Sequence, residues 1–499
     1  MERLGICQRR VFLFAYLGRI YPNKQNDTVK IDKNIHHINM ETEENLEIYK
    51  SKLNLIIQKA VNESKIKPER SLDILKQAGN MYNSIDYKKE LANVKFIEGI
   101  CHRQLSNFDI AIQSYNSALE IYKELNDHEG EVKSLNSLGN VYYSLSNHNK
   151  AIEFYNICIE KLNVSGEKDF MAEIYSNIGL VYQEMNNYTS SLANYFESIN
   201  IFLEINKPIP PSLYNNIGIV YQELYDYSTS IEYFNKALIL EEYDNNLLFL
   251  CSTLGNIGIS YTENRDYFNG ITYLCEALII SKLINNRQSE ANIYSHLGNT
   301  YRMLKLYIEA IEYKIKALKY YKEISDKNSV ANTFYQLGKI YFEMKDFVTA
   351  KKYYNDALEI SLETNDDLLE TKIYFGLAEL YNKFKNLDLT ENYLQKAREI
   401  SIYKNSFNDL NEIHSLLSNC YKSFGQYEKA LEELEKSKYY ESKLLDINNE
   451  QKAKKMLLNK IFRICKVNNN LNGLDYSKLK NILSKGVFMN NLKRTNIIL

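Results

Sequence analysis

A period of 40 residues runs through most of this chain and limits its fold more than any other feature. Aligned on Gly99, Gly139, Gly179, Gly218, Gly258, Gly298, Gly338, Ala378 and Ser418, the sequence repeats nine times, with every step 40 residues except one of 39. The short step falls where Pro208, Pro210 and Pro211 occupy a loop. Twelve residues past these anchors stand Ala111, Ala151, Ser191, Ser230, Gly270, Ala310, Ala350, Thr390 and Ala430. Nineteen past them stand Ala118, Cys158, Ser198, Ala237, Ala277, Ala317, Ala357, Ala397 and Ser437. Such self-similarity marks a repeat array, whose units cannot bury their apolar faces alone and stack on one another. Small side chains at three fixed slots are what two crossing antiparallel helices need for close approach. Tyr fills the slot three past the anchor in eight repeats, from Tyr142 to Tyr421, with His102 the exception. Spacings of three, four and seven place these residues on helical faces. Each unit is expected to be a helical hairpin, with a longer second helix beginning about seven residues past the anchor.

Composition agrees. Only 5 Pro and 18 Gly in 499 residues argue against a turn-rich all-β chain, and 45% hydrophobic with 25% charged residues supports a large core. The 42 Tyr, with no Trp, fall mainly at packing slots of the period.

This arrangement of a small anchor, a Tyr and two further small residues resembles the tetratricopeptide repeat. The resemblance covers residues 90–440 as nine units. A degenerate capping hairpin over 41–89 precedes them, with Ser71, Leu75 and Ala78 in the second-helix frame. The chain departs from the family's short form in its period, in lacking a Pro at the end of each unit, and in the usual Trp slot. That slot holds Leu135, Tyr175, Tyr214, Tyr294, Phe334, Tyr374 or His414. The longer form is similar to arrays of bacterial signalling regulators and of the LGN and kinesin light chain families; Leu138-Gly139-Asn140 and Leu297-Gly298-Asn299 repeat the tripeptide that names LGN. The resemblance implies an all-α, right-handed solenoid of about nine to ten hairpins, acting as a protein-protein interaction scaffold with a concave groove lined by its first helices.

No catalytic residue stands out, and the chain is expected not to be an enzyme. The seven His form no HExxH or i,i+4 pair. His102 and His414 occupy aromatic slots and Cys158 a small-residue slot, which reads as packing. Seven scattered Cys without a CxxC fit a reducing, cytoplasmic setting and no metal site. No GxxxxGK[ST] or GxGxxG loop cradles a phosphate, so neither a cofactor nor a small-molecule substrate is expected.

In the family's register the groove is lined by the slots three and two before the anchor and one, four and five after it. The first three of these contain Asn136, Asn140, Asn177, Asn215, Asn216, Asn256, Asn299 and Asn419, eight of 27 positions, whereas 59 Asn in 499 residues would give about three. Side-chain amides both donate and accept, so Asn on successive hairpins can clamp the backbone of an extended peptide. The plain alternative is that an Asn-rich chain puts Asn wherever polarity is needed. Five past the anchor, Glu184, Glu223, Glu263 and Glu343 would form an acidic stripe interrupted by Met303, with Arg302 as its one basic neighbour. Such a stripe favours a partner with basic residues, with a solvated face as the alternative. The Lys that family members use three before the anchor to hold a chaperone's terminal carboxylate is absent at every repeat.

Residues 1–40 read as a leader, poorly ordered or a short helix, with Arg9 and Arg10 before the apolar run Val11–Leu17. No run approaches the roughly 20 apolar residues of a membrane span. The net charge is −2, yet residues 441–499 carry 12 Lys/Arg against 4 Asp/Glu. A basic helix over 441–467 and a partly disordered basic tail over 468–499 are expected. Two other readings follow: a stand-alone regulator whose tail contacts nucleic acid or an acidic partner, and self-association through terminal repeats.

Overall fold

The computed structural model describes residues 43–64, 66–79, 88–244 and 246–445, so the leader over 1–40 and the basic tail beyond 445 lie outside the described residues. The described residues form α-helices joined by short turns and contain no strand. None of these helices is long and apolar enough to cross a membrane. The chain divides into two compact units, residues 1–114 and 115–499.

The first unit holds α1 (Glu43–Ser64), α2 (Pro68–Gly79), α3 (Lys88–Gln104) and the opening of α4 (Phe108–Glu124). Leu53, Ile57 and Ala60 recur at helical spacing on α1 and meet Leu75 of α2 and Val94, Ile97 and Cys101 of α3 in one core. Ser71 is fully buried and donates to the Ala60 carbonyl at 2.8 Å, so the two helices cross where both side chains are small.

The second unit continues from α4 through hairpins α5 (His128–Ser144) with α6 (His148–Ser165), α7 (Lys168–Glu184) with α8 (Tyr188–Glu204), and α9 (Pro211–Glu223) with α10 (Tyr227–Asp244). It goes on through α11 (Leu247–Glu263) with α12 (Tyr267–Leu283), α13 (Arg287–Met303) with α14 (Tyr307–Glu323), and α15 (Lys327–Glu343) with α16 (Phe347–Thr364). The hairpins α17 (Asp367–Lys383) with α18 (Leu387–Tyr403), and α19 (Phe407–Ser423) with α20 over 427–445, follow among the described residues. From α5 to α19 each helix packs on the helices before and after it, the arrangement of an all-α solenoid.

The links explain why the helices stop where they do. Residues with positive φ recur about every 20 positions, including Ser146, Asn186, Asn285, Ser325, Lys345, Asn365 and Asn405. That left-handed step reverses the chain and frees the next residue to cap the following helix. Asn147, Asn187, Asp266, Asn286, Asp326, Asp346 and Asn386 each accept a hydrogen bond from the backbone N–H three residues on. Positions seven and eight past each anchor are therefore spent on turn and cap. The second helix begins nine residues past the anchor, not seven; α14 starts at Tyr307 after Gly298. Nor is it the longer helix, since first and second helices both run to 17 or 18 residues in most repeats.

The anchor is small because a ring lies against it. A Cβ on Gly139 would stand 2.5 Å from the Tyr155 ring, and one on Gly338 2.6 Å from that of Tyr354. Both tyrosines are buried. Around this seam the Tyr three past the anchor stacks on the aromatic residue fifteen past it, as in Tyr261–Tyr273 and Tyr301–Tyr313, with centroids 5.5 and 5.1 Å apart. These pairs tie the two helices of a hairpin together.

Candidate functional site

Within the second unit, first helices of neighbouring hairpins touch one another: α7 meets α9, α9 meets α11, α11 meets α13, α15 meets α17 and α17 meets α19. Second helices show no comparable packing on one another among the described residues. In a curved stack the more closely spaced layer is the inner one, so the first helices form the concave side of this unit.

The Asn residues of that face bond across hairpins. Asn177 on α7 donates through Nδ2 to Asn136 Oδ1 on α5 at 3.1 Å, and Asn256 on α11 donates to Asn215 Oδ1 on α9 at 3.2 Å. The Thr253 hydroxyl points to the same Asn215 oxygen at 3.4 Å, and Asn215 is buried. Asn140 takes the Tyr155 hydroxyl at 2.6 Å, which ties it to the helix seam. Asn216 is half-buried beside Asn215. The Asn299 Oδ1 is buried and has no hydrogen-bond partner.

The acidic residues separate into two groups. Glu184, Glu223 and Glu263 are exposed on α7, α9 and α11. Burial and then Glu184 push the Tyr143 hydroxyl upward, and burial and then Glu223 push that of Tyr188 up to about 12, so both carboxylates stand beside tyrosines. Burial also raises the Glu263 carboxyl, against the pull of Arg302. Glu343, by contrast, is committed: the Arg302 Nη1 on α13 donates to its Oε1 at 2.6 Å, with both side chains partly buried. The residues Glu184, Glu223 and Glu263 thus follow one another along the face, and Arg302 ends the acidic run.

Sequence reasoning passed over several residues of this face. Gln183 accepts the Tyr195 hydroxyl at 2.9 Å, and Gln222 donates to the Ser260 hydroxyl at 3.2 Å across hairpins. Glu379, raised by burial, faces Lys339 and Lys383. All three positions fall in slots assigned to the groove: Glu379 stands one past its anchor, where only Asn was considered, and Gln183 and Gln222 stand four past theirs, a slot in which only Arg302 was considered. Lys314 was missed for another reason: it sits in a slot sixteen past the anchor that packing alone was expected to fill.

Away from this face, His414 is buried, stacks on the Tyr440 ring and places its Nδ1 2.5 Å from the Glu433 carboxylate. A cavity of about 450 Å³ opens among α18, α19 and α20, lined by residues that include Asp388, Glu391, Arg398 and Tyr421. Among the described residues no three His, Cys, Asp or Glu side chains gather as metal ligands.

The tetratricopeptide repeat family model matches residues 90–161, 170–239, 249–323 and 289–363, together just over half of the chain. No curated protein matches it by sequence. Among solved structures it is similar to the apo form of the quorum sensor NprR from B. thuringiensis, at 16% identity and a TM-score of 0.50, over 79% of this chain and 99% of that one. A signal-transduction ATPase with a tetratricopeptide-repeat sensor, from Pyrococcus horikoshii, is similar at 19% identity and a TM-score of 0.51, over 72% of this chain and 52% of that one. A Rap protein complexed with competence and sporulation factor matches at 15% identity and a TM-score of 0.47, over 79% of this chain and 99% of that one. At these identities the likeness is one of fold.

Proposed function

Since the chain belongs to the tetratricopeptide repeat family, we propose that it is a non-enzymatic interaction scaffold that holds an extended peptide or partner segment against the concave face of its first helices. The observation that carries this reading is the pairing of Asn136 with Asn177 and of Asn215 with Asn256 on neighbouring first helices. Each bond fixes the two amides in a set orientation yet leaves a donor and an acceptor on the pair unspent. Adjacent helices pack about 8–10 Å apart, which an extended chain spans in roughly three residues at about 3.3 Å each. Amides repeated at that interval suit a peptide backbone whatever its side chains, and orienting them in advance lowers the entropic cost of binding. Glu184, Glu223 and Glu263 add a preference for basic side chains over the same stretch.

Replacing Asn177, Asn216 and Asn256 together by Ala tests the reading. Capture of the partner by the immobilised chain is expected to fall at least tenfold while the thermal unfolding midpoint moves by only a few degrees. Undiminished capture by the triple variant would remove the amide clamp from consideration.

A further inference from the structure

Sixteen residues past the anchor, the array places Tyr155, Tyr195, Phe234, Leu274, Tyr354 and Leu394, all fully or almost fully buried. In the hairpin of α13 and α14 the same slot holds Lys314, also with no exposed surface, and its methylenes lie against Gly298 where the other repeats lay a ring or Leu. It is the only Lys or Arg among the buried residues described. Its one hydrogen-bond partner among them is the Ser295 hydroxyl at 2.9 Å, although an ammonium has three donors, and no carboxylate pairs with it. Burying an unpaired ammonium costs far more than burying the aromatic ring the fold accepts elsewhere. Packing therefore gives no account of Lys314.

Its surroundings do. Ser295, Asn299 and Arg302 lie at helical spacing along the concave side of α13. Arg302 spends one nitrogen on Glu343, while its buried Nε has no partner. The Asn299 Oδ1 is likewise buried and unpartnered. Burial, with Arg302 alongside, pulls the Lys314 ammonium down to about 7, and burial with Lys314 pulls His296 down to about 4, so burial and mutual repulsion disfavour positive charge on both groups unless an anion joins them. The donors that Arg302 and Lys314 have left over from Glu343 and Ser295, beside an amide acceptor without a partner, are the complement of a carboxylate next to a peptide N–H.

We propose that Arg302, Asn299 and Lys314 form an anion subsite on the concave face, and that the ligand docks a carboxylate there. This deepens the groove reading and rests on it. Arg302 and Asn299 meet the ligand, the guanidinium taking the carboxylate and the amide oxygen an adjacent N–H. Lys314, one hydrogen bond beneath the face through Ser295, is a positioning residue that supplies charge from below. With Glu184, Glu223 and Glu263 on the preceding hairpins, the subsite orients the ligand. Its basic groups lie over α7 to α11 and its carboxylate over α13.

The carboxylate can come from a chain terminus or from an Asp or Glu side chain, and peptide pools separate the two. Hexapeptides with Arg or Lys at the first two positions and randomised neutral residues elsewhere are made as C-terminal acids and as C-terminal amides. A third pool, amidated, carries Asp or Glu at its last two positions. Retention on the immobilised full-length chain is read by mass spectrometry for wild type, Lys314→Met, Arg302→Met and the triple Asn variant. Wild type is expected to enrich the acid pool, or the acidic amide pool, at least tenfold over the neutral amide pool; which one is enriched identifies the source. Lys314→Met is expected to lose that preference while holding the neutral amide pool as wild type does, an outcome that a merely structural lysine would not produce. Unchanged preference in both Lys314→Met and Arg302→Met overturns the subsite and leaves the groove reading standing. Should wild type retain no pool, the groove reading falls. The subsite is then judged by thermal unfolding in acetate against chloride at equal ionic strength. Stabilisation specific to acetate, present in wild type and absent in Lys314→Met, upholds the subsite, and an equal response of the two proteins overturns it.

Discussion

At the scale of single residues, the slot sixteen past the anchor shows how one side chain decides what its neighbour can be. The anchor looks in sequence like a helix crossing, yet what it makes room for is the ring of a residue on the next helix. Gly139→Ala would push a methyl to 2.5 Å from the Tyr155 ring and force one of them to move, at a cost of about 1–3 kcal/mol. Gly255 is the contrast: it lies inside α11 with nothing within 4 Å of an added Cβ. There Ala removes only the helix penalty of glycine, and Gly255→Ala is expected to gain up to about 1 kcal/mol. Urea denaturation of the two variants reads both signs; two losses, or two gains, would detach the anchors from ring packing. The period made the small slots legible, but not which amide meets which. The bonds Asn177–Asn136 and Asn256–Asn215 depend on how adjacent hairpins are offset, and one chain read alone does not encode that offset visibly.

Among elements, the links are where sequence and structure differ most usefully. The period of 40 hides a structural step of about 20, because each helix with its turn and cap takes that length. Several asparagines that raise the overall count serve these links, Asn186, Asn285, Asn365 and Asn405 as left-handed residues and Asn147, Asn187, Asn286 and Asn386 as caps. The abundance of Asn therefore has two causes, and only the slots on the first helices bear on binding. The second helix starts two residues later than the period suggests for the same reason, since a turn and a cap carry no hydrophobic signal. The two link roles predict opposite mutational effects. Asp326→Ala removes the acceptor for the Ser329 N–H at 3.1 Å and is expected to cost about 0.5–2 kcal/mol. Lys345→Gly relieves a side chain held at φ 66° and is expected to be neutral or to stabilise by up to about 1 kcal/mol. Guanidinium unfolding of each variant against wild type checks the pair, and a destabilised Lys345→Gly would show that the lysine does more than turn the chain.

For the whole molecule, neighbour-only packing decides which changes in length the second unit can absorb. Each hairpin presents the same seams to the one before and the one after, so stability is nearly a sum over hairpins and their interfaces. Removing residues 367–406 takes out α17, α18 and their links, and joins the cap Asp366 directly to Phe407 at the start of α19. The new junction keeps a second helix followed by a first helix, with every small slot in phase. This variant is expected to unfold cooperatively, with the same helical signal per residue as wild type and a midpoint lowered by no more than several degrees. It also leaves every candidate groove residue from Asn136 to Glu343 in place, so partner capture is expected to persist. Removing only residues 367–386 deletes α17 and its link and puts α18 after α16, two second helices in succession. A ring-bearing seam then meets another ring-bearing seam with no small anchor to receive it, and the apolar faces downstream point the wrong way. That shorter deletion is expected to broaden the melting transition or drive the chain into aggregates. The decisive comparison is circular dichroism with size-exclusion chromatography on the two deletions. If the loss of 20 residues is tolerated better than the loss of 40, the hairpin is not the unit of this fold, and phase along the chain does not hold the face of first helices together.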